Sequence, residues 1–164
     1  MENTSSGELK IDLGCGFDKH EGYIRADISS ICKPDVLIDV RKIPWQWEDN
    51  SVDYLRVDNL FEHLVPSDFM KAMAESWRVL KVGGILWIRV PHLGWPLTEE
   101  HIIGMFTDPT HQSYFTNQTF DYWDKEHSRH SQFGVLYGCK PFNRVRQVED
   151  GKFLIVELCK LEQS

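Results

Sequence analysis

The chain has 164 residues, 41% of them hydrophobic, enough for one domain with a full core and too few for a separate substrate domain of ordinary size. Its formal net charge of −7 argues against a general nucleic-acid binder, which needs clustered Lys and Arg against phosphates, although one local basic site is still allowed. No apolar run approaches a membrane span, the polar start from Met1 to Glu8 lacks a signal-peptide core, and Cys15, Cys32, Cys139 and Cys159 form no CxxC pair. The expectation is a cytoplasmic protein with reduced thiols.

Runs rich in Ile, Leu and Val predict buried strands at residues 9–13, 23–26, 36–40 and 52–57. The first leads into Asp12-Leu13-Gly14-Cys15-Gly16 and the second ends at Asp27. Glycine lets the backbone turn sharply and come close to a ligand, because no Cβ stands in the way. An acid at the tip of the next strand suits the two hydroxyls of a ribose. Residues 17–22 are too few for a full crossover helix, so a single turn or a loop is expected there.

One helix is clear. Ser67 can cap it, Asp68 suits its positive end, and Phe69, Met73, Trp77 and Leu80 recur at helical spacing on one side. This stripe reads as core packing, with Arg78 and Lys81 complementing the helix C-terminus. Gly83-Gly84 is expected to end the helix and turn the chain into a strand at 85–90. Residues 91–131 are rich in aromatics and histidine and follow the carboxyl end of a strand, where open α/β sheets bind ligands. A helix is expected within 116–123, with Phe120 and Trp123 buried. Strands at 144–148 and 153–159 flank Asp150-Gly151, a strong hairpin signal. The chain thus reads as one α/β domain over 1–164, a mainly parallel sheet with a C-terminal antiparallel hairpin and a substrate-side insertion at about 91–131.

Four blocks together resemble the class I methyltransferases that use S-adenosylmethionine (SAM), in particular the short methyltransferase type 11 and ubiquinone-biosynthesis-like group. They are Ile11-Asp12-Leu13-Gly14-Cys15-Gly16, Gly22-Tyr23-Ile24-Arg25-Ala26-Asp27, the stretch from Ile43-Pro44-Trp45 through Asn50-Ser51-Val52-Asp53-Tyr54 to Leu60-Phe61-Glu62-His63-Leu64, and Glu75-Ser76-Trp77-Arg78-Val79-Leu80-Lys81-Val82-Gly83-Gly84. Each is weak alone; their order and spacing carry the signal. Asp108-Pro109-Thr110-His111 also looks similar to short relatives of the group.

The resemblance implies a Rossmann-like class I methyltransferase fold with SAM as cofactor and S-adenosylhomocysteine as product. By position it implies that Asp12, Gly14 and Gly16 take the methionine portion, Asp27 the ribose and Asp39 the adenine amine. Val40 would touch the adenine ring, Asn59 and Leu60 would open onto the cofactor, and Cys15 and Ile28 would lie in the same site. Asp18 stands where the family often has a third glycine, which leaves the carboxylate grip open. A dinucleotide fits less well, since its pyrophosphate would want Gly-x-Gly-x-x-Gly opening onto a helix, and Lys19 holds the third position.

Plainer readings stand beside these. The glycine turn could be only a tight connection, Asp39 could start a turn before Pro44, Cys15 could only fill a small space, and His63 could be a hydrogen-bonded structural group. His92, His101, Asp108 and His111 lack a recognised ligand spacing, so no metal is expected. The basic residues of 125–130 with Lys140, Arg144 and Arg146 read as solvated surface ahead of an anion site.

The leading expectation is in-line transfer of a methyl group from SAM to a small-molecule acceptor. His111 is the first candidate base because it lies in the aromatic insertion, followed by His63 and His92. Trp95, Phe115, Tyr122 and Trp123 are expected to wall the acceptor. The alternative is a methyltransferase-like module that binds SAM or a partner without turnover. A nucleic-acid acceptor is disfavoured by charge and by Asp58-Asn59-Leu60-Phe61 where an Asn/Asp-Pro-Pro-Tyr motif would stand. Oligomeric state is not readable, although so small an enzyme could use a second copy to close its cleft.

Overall fold

The structure, a computed structural model, describes residues 7–162. Seven strands form one sheet: β1 (Lys10–Leu13), β2 (Ile24–Asp27), β3 (Val36–Leu37), β4 (Val52–Asp58), β5 (Leu80–Pro91), β6 (Phe142–Asp150) and β7 (Phe153–Lys160). Their spatial order is β3-β2-β1-β4-β5-β7-β6. β1 to β5 run parallel, and β7 is antiparallel to both β5 and β6. The chain works outward from β1 to β3 and then resumes on the other side of β1 with β4. This reversal makes a topological switch point, where the carboxyl ends of the strands leave a crevice.

The burial pattern follows from strand alternation. Ile11, Leu13, Leu55, Val57, Leu86, Ile88, Leu154, Val156 and Leu158 are all fully buried on one face. Each such side chain stabilises the fold by about 1.5–3 kcal/mol relative to exposure. α1 (Pro66–Val79) adds Phe69, Ala72, Met73 and Val79 to this core. The alternate residues Tyr54, Arg56, Asp58, Trp87 and Arg89 point the other way and are partly covered by one another. The Arg56 guanidinium lies 3.9 Å over the Trp87 ring, and Arg89 lies 4.8 Å over Phe153. Among the described residues, the crossovers β1–β2, β2–β3 and β3–β4 contain no α-helix; the second holds only a 3-10 turn at Ser30–Cys32.

Several expected boundaries move. α1 begins at Pro66, with Val65 rather than Ser67 at the N-cap, because the fixed φ of proline suits the first helical position. The helix ends at Val79 and β5 starts at once, so Gly83-Gly84 do not end the helix. They lie within β5, where the pairing with β4 slips between Val52 and Tyr54. Gly83 has φ +83° and a Cβ on Gly84 would stand 2.9 Å from the Lys81 carbonyl, so these glycines permit the irregularity. The strand expected at 36–40 stops at Leu37. The expected helix in 116–123 is a 3-10 turn, Thr119–Tyr122, although Phe120 and Trp123 are buried as expected. The Asp150-Gly151 hairpin is present, with Asp150 opposite Phe153.

The segment between β5 and β6 holds α2 (Glu99–Phe106) and is anchored by aromatic packing. Phe69 of α1 meets Phe61, Phe115, Phe120 and Trp123 with centroids 5.2, 5.3, 6.5 and 5.4 Å away. Phe115 and Trp123 are therefore core residues, and Trp95 is 89% exposed. The β3–β4 loop is held by Glu75. Its carboxylate accepts from Trp45 N–H at 2.7 Å and from Arg78 Nε and Nη2 at 2.8 and 2.7 Å, while Arg78 also reaches the Trp45 and Trp47 carbonyls.

Burial pushes the Glu75 carboxyl up, but Arg78 and the Trp45 amide outweigh it and hold the group below its ordinary value. Glu75→Gln should lower unfolding free energy at pH 7 by about 1–3 kcal/mol in urea titration. A depressed folded pKa contributes stability above the unfolded value of about 4.3 and loses it as pH falls through the folded value. The difference between wild type and variant should therefore shrink in the same titration repeated at progressively lower pH.

Candidate functional site

The bend after β1 is made and held by β2. Gly14 and Gly16 have φ of +75° and +51°, the left-handed region that glycine enters without steric cost. Gly14 N–H donates to the Ala26 carbonyl at 2.7 Å. The Asp27 carboxylate accepts from Gly16 N–H at 2.9 Å and from Ser29 N–H at 2.8 Å, tying the bend to the turn that follows β2. Two residues earlier, the Arg25 guanidinium donates to the carbonyls of Gly16, Asp18, Cys32 and Lys33 at 2.9–3.0 Å. Sequence reasoning does not single out Arg25; a charged residue inside a short apolar strand was the available signal.

Beside this bend lies a cavity of about 210 Å3. It gathers six of the expected cofactor residues, Gly14, Asp27, Ile28, Asp39, Val40 and Leu60, together with Ile38, Arg41, His63 and Leu64. Asp39 enters it with its carboxylate engaged by Arg41 Nε and Nη2 at 2.8 and 3.0 Å, which holds that carboxyl below the usual range.

Four expected cofactor residues do not line this cavity. Asp12 alternates with core-facing Ile11 and Leu13, so it points to the other face of the sheet. There it is 1% exposed, 2.9 Å from His20 Nδ1 and 3.8 Å from Arg56 Nε. Burial raises its carboxyl above the ordinary value in spite of His20. Cys15 is buried, and burial pushes its thiol to about 11. Gly16 serves through its backbone bond to Asp27. Asn59, with φ +49°, lines the neighbouring cleft instead.

That cleft has a volume of about 630 Å3 and lies beyond β4 and β5, between the 3-10 turn Phe61–His63, α2 and residues 107–111. His63 lines both it and the smaller cavity. Backbone pairing closes this side: Gln112 and Ser113 N–H donate to the Glu62 carbonyl at 2.7 and 3.1 Å, and Ser113 Oγ donates to the Leu64 carbonyl at 2.7 Å. His111 is thereby brought edge-on to His63, with ring centroids 4.9 Å apart.

The hydrogen bonds assign both rings. Thr110 Oγ donates its one proton to Asp108 Oδ1 at 2.6 Å and so accepts from His63 Nδ1 at 2.9 Å. His111 Nδ1 lies 2.8 Å from the Met105 carbonyl, which can only accept. Both Nδ1 atoms therefore carry hydrogen in the neutral rings, and both Nε2 lone pairs are free. Glu62 is 1% exposed and its Oε2 has no hydrogen-bond partner. Burial, with smaller effects from Asp58 and Asp108, pushes its carboxyl up to about 8. Burial and His111 push His63 below its ordinary value.

His92 is elsewhere. It is fully buried, with Nδ1 3.2 Å from the Lys152 carbonyl, Nε2 3.3 Å from Glu149 and its ring beside His101. A third cavity of about 640 Å3 is lined by Met70, Tyr122, Trp123, Arg129, Tyr137 and Cys139 among others, and shares no residue with the other two.

This strand order, with a glycine bend after β1 and an acid ending β2, defines the class I methyltransferase architecture. A sequence profile described as a methyltransferase domain matches residues 15–88. The profile covers a little under half of the chain, and the fold as a whole is that of the class I methyltransferases. A SAM-dependent methyltransferase from Archaeoglobus fulgidus is similar at 16% identity and TM-score 0.65, covering 94% of this chain and 87% of its own. A structure from Haloferax volcanii, a complex between the Trm112 methyltransferase activator and a putative methyltransferase, matches at 14% identity and TM-score 0.66, covering 96% and 84%. The Burkholderia thailandensis 1,6-didemethyltoxoflavin-N1-methyltransferase, with its acceptor and S-adenosylhomocysteine bound, matches at 12% identity and TM-score 0.55, covering 94% and 71%. No curated protein matches the sequence. No helix among the described residues is long and apolar enough to cross a membrane.

Arg25→Leu should release residues 16–18 from the turn at 32–33. The expected result is a loss of about 1–3 kcal/mol in denaturant titration and faster proteolysis within residues 16–22, read by mass spectrometry of the fragments.

Proposed function

We propose that the chain is a SAM-dependent methyltransferase acting on a small-molecule acceptor. The observation that supports this reading most directly is the pair of cavities that meet at His63, beside the switch point of the sheet. One is narrow, carries Asp27 at the tip of β2 and suits the nucleoside of the cofactor. The other is three times larger, opens to solvent and suits an acceptor. The Burkholderia relative, with acceptor and S-adenosylhomocysteine together, is a precedent for such a division.

SAM brings an activated methyl group on a positively charged sulfur. The protein then has to align nucleophile, methyl carbon and sulfur, and to exclude water from them. In this reading Asp27 accepts from the ribose hydroxyls, while Ile28 and Val40 flank the adenine. Asp12 supports the strand tip through His20 instead of touching the cofactor. An acceptor that carries a proton must lose it, and Glu62, His63 and His111 are the groups gathered there with unoccupied acceptor atoms. A reducing, cytoplasmic setting suits the four unpaired cysteines.

Calorimetric titration with S-adenosylhomocysteine tests the cofactor. Wild type should bind at micromolar concentration, and Asp27→Ala should weaken binding by tenfold or more while remaining folded by circular dichroism. Absence of binding to folded wild type would overturn the reading. Binding without methyl transfer across a broad panel of hydroxyl, amine and thiol acceptors would favour a cofactor-binding module without turnover.

His111→Ala should reduce turnover by about 10²–10⁴-fold, the usual contribution of a proton-handling group, with little change in S-adenosylhomocysteine affinity. Unchanged turnover would remove His111 from the acceptor chemistry.

A further inference from the structure

Three side chains able to offer a lone pair to a metal meet in the cleft. One donor atom each from Glu62, His63 and His111 lies within 4.8 Å of the other two. The tautomers set by Thr110 and by the Met105 carbonyl leave each histidine with an unengaged Nε2 lone pair. Glu62, almost wholly buried, has an Oε2 with no hydrogen-bond partner. Nitrogen and oxygen lone pairs gathered this closely are matched either by a proton or by a metal ion.

From this we propose that Glu62, His63 and His111 form a binding site for a divalent transition-metal ion. Two imidazoles and one carboxylate match the donor set taken by zinc and by ferrous iron, and are a poor match for magnesium or calcium, which prefer oxygen alone. Ligand bonds of about 2.1 Å place donor atoms roughly 3.5 Å apart, so the side chains need to close by about an ångström.

The surroundings of the histidines have the form that metal sites use to orient their ligands. His63 Nδ1–H passes through Thr110 to the Asp108 carboxylate, and His111 Nδ1–H donates to a backbone carbonyl. Such outer partners fix the ring and make its other nitrogen a better ligand. Asp58 and Asp108 add negative potential around the site. A search for ligand spacing in the sequence cannot find this arrangement, because His63 and His111 lie 48 positions apart and are joined by hydrogen bonds between residues 62–64 and 110–113.

Three protein ligands leave at least one position open towards the cleft. Here the inference rests on the acceptor reading given above. An acceptor hydroxyl bound at that position gives up its proton to solvent more easily, as metal-bound water does. Its oxygen then attacks the methyl carbon; the new C–O bond forms as the C–S bond breaks, and neutral S-adenosylhomocysteine leaves.

The test is metal binding itself. The 164-residue protein is stripped with a chelator and titrated with Co(II) alone, followed by its visible ligand-field bands and by calorimetry. One equivalent should bind. Glu62→Gln and His111→Ala should each weaken binding by 100-fold or more, and Thr110→Val by about tenfold through loss of ring orientation. S-adenosylhomocysteine titration of the same variants serves as a check on folding and on the cofactor cavity. Failure of folded wild type to bind Co(II) or Zn(II) stoichiometrically, or undiminished binding by both ligand variants, would overturn the metal site; if S-adenosylhomocysteine still bound, the methyltransferase reading would stand. Metal binding lost in the variants, in a protein that does not bind S-adenosylhomocysteine, would support the metal site and remove the methyltransferase reading.

Discussion

The site depends on how β2 holds the bend after β1. In an ordinary α/β crossover a helix would pack on the sheet and fix the loop that precedes it. Here ten residues join β1 to β2 without a helix, and polar contacts take over that task. The Asp27 carboxylate binds the Gly16 amide, and Arg25 draws four carbonyls from two separate turns onto one planar group. A guanidinium suits this role because its donors are fixed in one plane and its charge cannot be lost. The left-handed glycines give the chain freedom to bend, and β2 decides where the bend stays.

The same economy appears on the other side of the switch point. The 3-10 turn after β4 presents Glu62 and His63, and the backbone of 112–113 pairs with the Glu62 carbonyl. The aromatic cluster around Phe69 anchors the segment that carries His111. The insertion is thus a packed part of the domain whose edge lines the cleft. Its many rings reflect the need to bury a long connection with little regular structure, which explains why Phe115 and Trp123 are core residues.

Much of the fold was legible because it is local. The apolar runs, the stripe on α1 and the Asp150-Gly151 turn depend on neighbours within a few residues, and they mark strands, helix and hairpin in the right order. The errors fall where a distant element intervenes. Gly83-Gly84 has the composition of a helix stop, yet pairing of Leu80 with Val52 ends α1 earlier and draws the glycines into β5. Asp12 has the position of a ligand-binding acid, yet the faces taken by Ile11 and Leu13 turn it towards His20 and Arg56.

The sequence by itself determined the class of architecture, the glycine bend with Asp27 beside it, and the presence of a histidine-bearing segment after β5, because these follow from periodicity, backbone freedom and the order of short motifs. Only the tertiary structure decided that Glu62, His63 and His111 share one cleft with potential ligand atoms close together, and that the Glu62 carboxyl is buried there. Such proximity is created by pairing and burial between residues far apart in the chain, and neither residue type nor spacing records it.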